Sequence, residues 1–180
     1  MQKIIKECPK VKLLIIGDGP DLDEYKEYVE NNKLKNNVLF AGKVPWEDIP
    51  KYYLLSDVFV TASTSETQGL TVIEAMAASL PVVCINDESF NNTVIDNLNG
   101  LIFNNEQEYI ENIIKLYKDK KLLNRLINGA KNTAEMHTIK YFAERVLDVY
   151  KLAIKNKPKT IIPILNKIIT KKENNNSVEE

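Results

Sequence analysis

Five short apolar runs, at residues 13–17, 38–41, 58–62, 82–85 and 101–103, alternate with stretches whose apolar residues recur at helical spacing. A strand that must return parallel to its neighbour needs a crossover of a dozen or more residues, usually a helix. Runs that are apolar throughout, rather than alternating, belong to strands covered on both faces. Together these features restrict the chain to an α/β fold, a Rossmann-like parallel sheet with helices on both faces. Turn signals fall where such a fold needs them. Gly17-Asp18-Gly19-Pro20 follows the first run, Gly42-Lys43-Val44-Pro45 the second, and Pro81 opens the fourth.

Helices are expected at about 22–32, with Tyr25, Tyr28 and Val29 in register, at 46–55 after Pro45, and at 70–79. Tyr109, Ile113, Leu116 and Tyr117 mark a longer helical pattern, which Leu122, Leu123, Leu126, Ile127 and Ala130 continue. Phe142, Val146, Val149, Tyr150 and Ala153 mark the last one, starting near Thr138. The chain of 180 residues is long enough for one domain with a sizeable core. Its expected bounds are 1–157, with 158–180 a flexible tail rich in Lys and Asn. Isoleucines mixed with lysines over 161–172 leave contact with an anionic membrane surface as the other reading of that tail.

A formal charge of −1 gives no field suited to nucleic acid. Cys8 and Cys84 lack metal-ligand spacing and are expected to be reduced thiols. His137 is the only histidine, which excludes a His-rich metal site. No signal segment and no apolar run long enough to span a bilayer is evident. A cytoplasmic protein is the expectation, with peripheral contact at the inner face of the membrane left open.

The densest chemistry lies after the third run, in Ser63-Thr64-Ser65-Glu66-Thr67-Gln68-Gly69-Leu70-Thr71-Val72-Ile73-Glu74. The first N–H groups of a helix have no internal partner, and the peptide dipoles make that end electropositive, so a diphosphate binds there. Gly69 lets an anion approach its backbone, and Thr71 adds a hydroxyl donor. Glu74, about one turn further, can accept from two adjacent ribose hydroxyls. Glu66, before the helix, can accept from the hydroxyls of a sugar joined to the diphosphate. A helix start capped by Glu66 or Thr67, with Glu74 merely solvated, is the structural alternative. Gly17, Gly19, Gly42, Lys43 and Val44 follow strands at the carboxyl edge, where ligands of parallel sheets bind. A tight strand-to-helix turn and a solvated Lys43 would look the same in sequence.

Glu66 and Glu74, with Gly69-Leu70-Thr71 between them, resemble the E-x7-E signature of the retaining glycosyltransferases of family 4, which use nucleotide sugars and have the GT-B fold. Residues 11–20, 38–44, 81–83 and 99–103 resemble that family's strands and turns, so the likeness extends over most of 11–150. It implies that this chain is the C-terminal, donor-binding half of such an enzyme. Glu66 would then contact the transferred sugar as the catalytic residue. Glu74 would hold the ribose, and Gly17, Gly19, Gly42, Lys43, Val44, Gln68, Gly69, Leu70 and Thr71 would complete the nucleotide site. The donor implied is a nucleoside diphosphate sugar, with UDP-glucose the first choice, and no metal cofactor is needed. The acceptor, a glycan or lipid, would be bound mainly by an N-terminal half. By the same resemblance an Arg and a Lys for the phosphates lie upstream, so this chain alone is expected to bind nucleotide weakly and not to turn over.

Residues 86–93 depart from the pattern. Many relatives carry Gly-Gly-x-x-Glu there, whereas this chain reads Asn86-Asp87-Glu88-Ser89-Phe90-Asn91-Asn92-Thr93. With Glu66-Thr67-Gln68-Gly69, the variant resembles bacterial enzymes that glycosylate diacylglycerol. Two other readings remain, a non-catalytic nucleotide-sugar-binding module and a GT-B nucleotide-sugar epimerase. A dinucleotide-dependent dehydrogenase fits poorly, because the first turn lacks the third glycine.

Overall fold

The alternating runs become parallel strands joined by helices. The computed structural model describes residues 1–65 and 69–156. In order they form α1 (Gln2–Glu7), β1 (Leu13–Ile16), α2 (Leu22–Asn31), β2 (Val38–Gly42), a 3-10 turn (Trp46–Asp48), α3 (Ile49–Leu54) and β3 (Phe59–Thr61). Then come α4 (Leu70–Ala77), β4 (Val82–Ile85), a second 3-10 turn (Glu88–Phe90), β5 (Gly100–Phe103), α5 (Glu106–Lys118), α6 (Lys120–Glu135) and α7 (Ile139–Lys155). The expected tail and the membrane reading of 161–172 lie outside the described residues, as do Glu66 and Gln68.

Two units divide the chain, Met1–His137 and Thr138–Glu180. In the second, the described part is α7, whose first turn is capped by Thr138, with Oγ1 accepting from Tyr141 N at 3.3 Å. Its apolar residues Ile139, Phe142, Val149 and Leu152 are exposed. No helix among the described residues is long and apolar enough to cross a membrane.

In the first unit the strands are parallel, as expected, but they form two ladders rather than one sheet. β1 pairs with β2, and β3-β4-β5 form the other ladder. The β1–β2 register runs Leu13↔Val38 to Ile15↔Phe40, then skips a residue to Ile16↔Gly42. That slip, and the three-residue length of β3, leave little straight strand on either side for further pairing.

β4 is the most enclosed strand, with Val82, Val83 and Cys84 fully buried. Its side chains alternate between two faces. Val82 and Cys84 join Val72 and Met76 of α4, Phe90, Val94 and Ala130 of α6. Val83 joins Leu101 and Phe103 of β5, Leu116 of α5, and Leu122, Leu123 and Leu126 of α6. A period of two along the strand thus places α4 on one face and α5 on the other, while α6 contributes to both. Around β1 and β2, Leu13, Ile15 and Val38 pack on Val29 and Leu34.

The helical pattern from 109 to 130 breaks in two at Asp119. This residue takes an extended conformation (φ −105°, ψ 90°), and its carboxylate accepts from Leu122 N at 2.9 Å, which starts α6. An Asp at an N-cap satisfies an orphan amide that a continuous helix would not have.

Candidate functional site

β3 ends at Thr61, and α4 begins at Leu70 behind Gly69. Gly69 is left-handed (φ 58°, ψ 33°), a conformation that costs any residue with a Cβ about 1–2 kcal/mol. Its carbonyl accepts from Val72 N (3.0 Å) and Ile73 N (3.2 Å), which closes the first turn. No side-chain cap is described at that end, so Leu70 and Thr71 head the helix, where N–H groups have no intrahelical acceptor. Leu70 and Thr71 are exposed, so an anion can reach this helix start from solvent.

The floor beneath Gly69 comes from the segment that departs from the family pattern. Asp87 accepts from Ser89 N at 3.0 Å and starts the 3-10 turn ending at Phe90. Those bonds from Ser89 hold the Asp87 carboxyl below its ordinary range. Phe90 is buried, and a Cβ at Gly69 would lie 3.6 Å from its Cδ1. This segment therefore supports the helix start with an aromatic ring.

Glu74 lies one turn inside α4 and is exposed. Its Oε2 accepts a hydrogen bond from the Tyr53 hydroxyl at 3.2 Å, and the same hydroxyl lies 3.4 Å from Thr71 O. Glu74 is thus held by a neighbour rather than only solvated. Burial first, then the negative charge of Glu74 and the bond to it, hold the Tyr53 phenol protonated far above its ordinary range, so it stays a donor. Tyr53 is not among the residues expected from sequence. The available signal was a hydroxyl-bearing aromatic at the end of the helix that feeds β3.

At the end of the other ladder, Gly17 N donates to Gly42 O at 2.9 Å, which brings the two glycine turns together. Gly42 has φ 68°, and the space beside Gly17, Gly19 and Gly42 is open to 4 Å. Gly19 N donates to Asp18 Oδ1 at 2.9 Å, so Asp18 shapes its own turn. Lys43 is exposed and Val44 half-buried. Among the described residues no hydrogen bond joins these turns to α4. The triplet Asp21-Leu22-Asp23 starts α2, where Asp23 pairs with Lys26 at 3.4 Å. Among the described residues no group of three or more His, Cys, Asp or Glu is placed to hold a metal ion.

Comparison with known proteins bears on what these pieces belong to. The family model described as "Glycosyl transferases group 1" matches residues 1–133. The alpha-monoglucosyldiacylglycerol synthase of Acholeplasma laidlawii is 34% identical over 145 residues, covering 81% of this chain and 36% of that protein. The enzyme of the same name from Streptococcus pneumoniae is 38% identical over 105 residues, covering 58% and 24%. The chain spans about a third or less of the length of these curated relatives. Among solved structures, the pneumococcal O-GlcNAc transferase in complex with UDP and GlcNAc superposes with a TM-score of 0.70 at 22% identity, over 86% of this chain and 31% of that one. That likeness gives the fold, a GT-B glycosyltransferase domain. A family match over nearly three-quarters of the length, on a strand-to-helix turn with these glutamates, means that this chain belongs to the group 1 glycosyl transferases.

Proposed function

We propose that this chain is the donor-binding part of a retaining glycosyltransferase that moves a hexose from a nucleoside diphosphate sugar to an acceptor hydroxyl. The observation that carries the reading is the α4 start. An exposed helix N-terminus behind a left-handed glycine, with no side-chain cap among the described residues, stands one turn from a carboxylate held by a tyrosine. The helix start takes the diphosphate, and its N–H groups and dipole stabilise the negative charge that grows on the leaving phosphate. Glu74 takes the ribose hydroxyls. Glu66 faces the sugar by the family resemblance, and Gly42, Lys43 and Val44 offer backbone groups to the base. The reaction proceeds without a divalent metal.

UDP-glucose is the donor of choice in this reading, supported by the UDP complexes among the structural neighbours and by the names of the glucosyl-transferring relatives. Those names also support a membrane diacylglycerol as acceptor. The test is calorimetric titration of the protein with UDP, GDP and ADP, with magnesium and with EDTA. Binding of one nucleotide, unaffected by EDTA and lost in Glu74→Ala, is the expected result. Equal affinity in Glu74→Ala overturns the ribose assignment. Radiolabelled transfer from UDP-glucose by the full-length protein to vesicles with and without diacylglycerol tests the acceptor.

A further inference from the structure

The geometry points to Tyr53 as a positioning residue that fixes the Glu74 carboxylate for ribose recognition and so sets the preference for a ribonucleotide. The inference rests on the reading that Glu74 takes the ribose.

An exposed glutamate samples several rotamers, and ordering it when a ligand arrives costs affinity. Here that ordering is done before binding. The Tyr53 hydroxyl stands 3.2 Å from Glu74 Oε2 and 3.4 Å from Thr71 O, and its single proton goes to the nearer, charged acceptor, so the phenol ties the carboxylate to α3. The phenol is itself anchored. Its ring lies 5.9 Å from that of Phe59 at 59°, and Phe59 packs against the core cluster under α4. A hydrogen bond to an ionised carboxylate is stronger than one between neutral groups. It occupies one acceptor position on Oε2 and leaves Oε1 and the rest of Oε2 free. A carboxylate offers about four lone-pair positions, enough for two vicinal hydroxyls beside the tyrosine.

Tyr53 also joins α3 to α4, so a staple with no part in recognition is the alternative. The two roles separate by ligand. A staple affects every nucleotide alike, whereas a positioning residue affects those whose hydroxyl Glu74 reads.

The test compares the wild type, Tyr53→Phe, Glu74→Ala and the double variant. Each is titrated with whichever of UDP, GDP and ADP binds, and with its 2′,3′-dideoxy counterpart, which offers Glu74 no ribose hydroxyl. Tyr53→Phe keeps the ring on Phe59 and removes only the hydroxyl, and a thermal melt checks that the fold is retained. The expected result is a loss of about tenfold in affinity for the ribonucleotide with little change for the dideoxynucleotide. Tyr53→Phe should then add nothing in the Glu74→Ala background. Equal weakening of both ligands, or an unchanged ribose preference, overturns the positioning role while leaving Glu74 as the ribose ligand. A wild type that binds ribo- and dideoxynucleotide equally, or binds none of the three, overturns the Glu74 reading and the positioning role with it.

Discussion

Asn99 Nδ2 donates to Thr133 Oγ1 at 2.9 Å, joining the loop before β5 to the last turn of α6. Asn99 is fully buried, with both amide protons and its carbonyl oxygen engaged. Nδ2 also donates to Thr93 O at 2.8 Å, and Oδ1 accepts from Ile95 N at 2.8 Å. The Thr133 hydroxyl donates in turn to Gly129 O at 3.0 Å. Asn99→Leu would leave the Thr93 carbonyl and the Ile95 amide without these partners, and a buried polar group left unpaired costs about 1–3 kcal/mol. We expect Asn99→Leu to lower stability in urea by about 2–4 kcal/mol, and Thr133→Val by about 1 kcal/mol.

The same contact explains a glycine inside α6. A Cβ at Gly129 would lie 1.9 Å from Leu98 O and 2.7 Å from Leu98 C, both backbone atoms that no rotamer change can move aside. Gly129→Ala must push α6 away from the loop, and we expect a loss of about 3 kcal/mol despite the better helix propensity of alanine. Gly19→Ala provides the control. Nothing stands within 4 Å of its Cβ, so urea midpoints should stay within about 0.5 kcal/mol of wild type.

These residues also show how far the sequence could be read. The strand at 82–85 and the helix starting at Leu70 were legible because both depend on local signals, a β-branched run after Pro81 and a glycine before an alanine-rich helix. Asp119 does not show as a break in sequence, because the apolar spacing runs through it almost unchanged and only the cap bond to Leu122 N reveals it. Asn99, Gly129 and Tyr53 share another difficulty. Each acts through a partner distant in sequence, and no local pattern states which partner that is. The division of the strands into two ladders is likewise a matter of long-range pairing. Within the site, the Gly69-to-Glu74 segment could be recognised from its spacing, but the hydroxyl that holds Glu74 could not.

The two thiols give a pH-dependent expectation. Cys8 and Cys84 are both free and fully buried. Burial, followed by the negative charge of Asp96, pushes the Cys84 thiol up to about 11, from an ordinary value of 9.0. Burial also raises Cys8, against the opposing pull of Lys118. Below pH 9 both the folded and unfolded chains carry these protons, so the stabilising contribution is complete. Between about 9 and 11 the unfolded chain loses the Cys84 proton first, and stability falls as pH rises. We expect the native protein at pH 8 to resist a disulfide-exchange reagent that titrates two thiols after denaturation. The urea midpoint should drop across pH 9–11, and less steeply in Cys84→Ala.

Gly69→Ala separates the backbone demand of the helix start from its role towards an anion. At φ 58° an added Cβ costs about 1–2 kcal/mol in conformation. The space itself is adequate, since 3.6 Å to Phe90 Cδ1 is ordinary contact. The fold should therefore survive with a stability loss of about 1 kcal/mol. Binding should respond differently, because relieving the left-handed strain at residue 69 shifts the N–H groups of Leu70 and Thr71, which the proposed reading gives to the diphosphate. We expect Gly69→Ala to weaken UDP by at least about tenfold while leaving uridine, which has no phosphate, nearly unchanged. Gly69→Asn should recover part of the stability and of the affinity for UDP, since asparagine tolerates the left-handed region. Equal losses for uridine and UDP would move the diphosphate away from the α4 start.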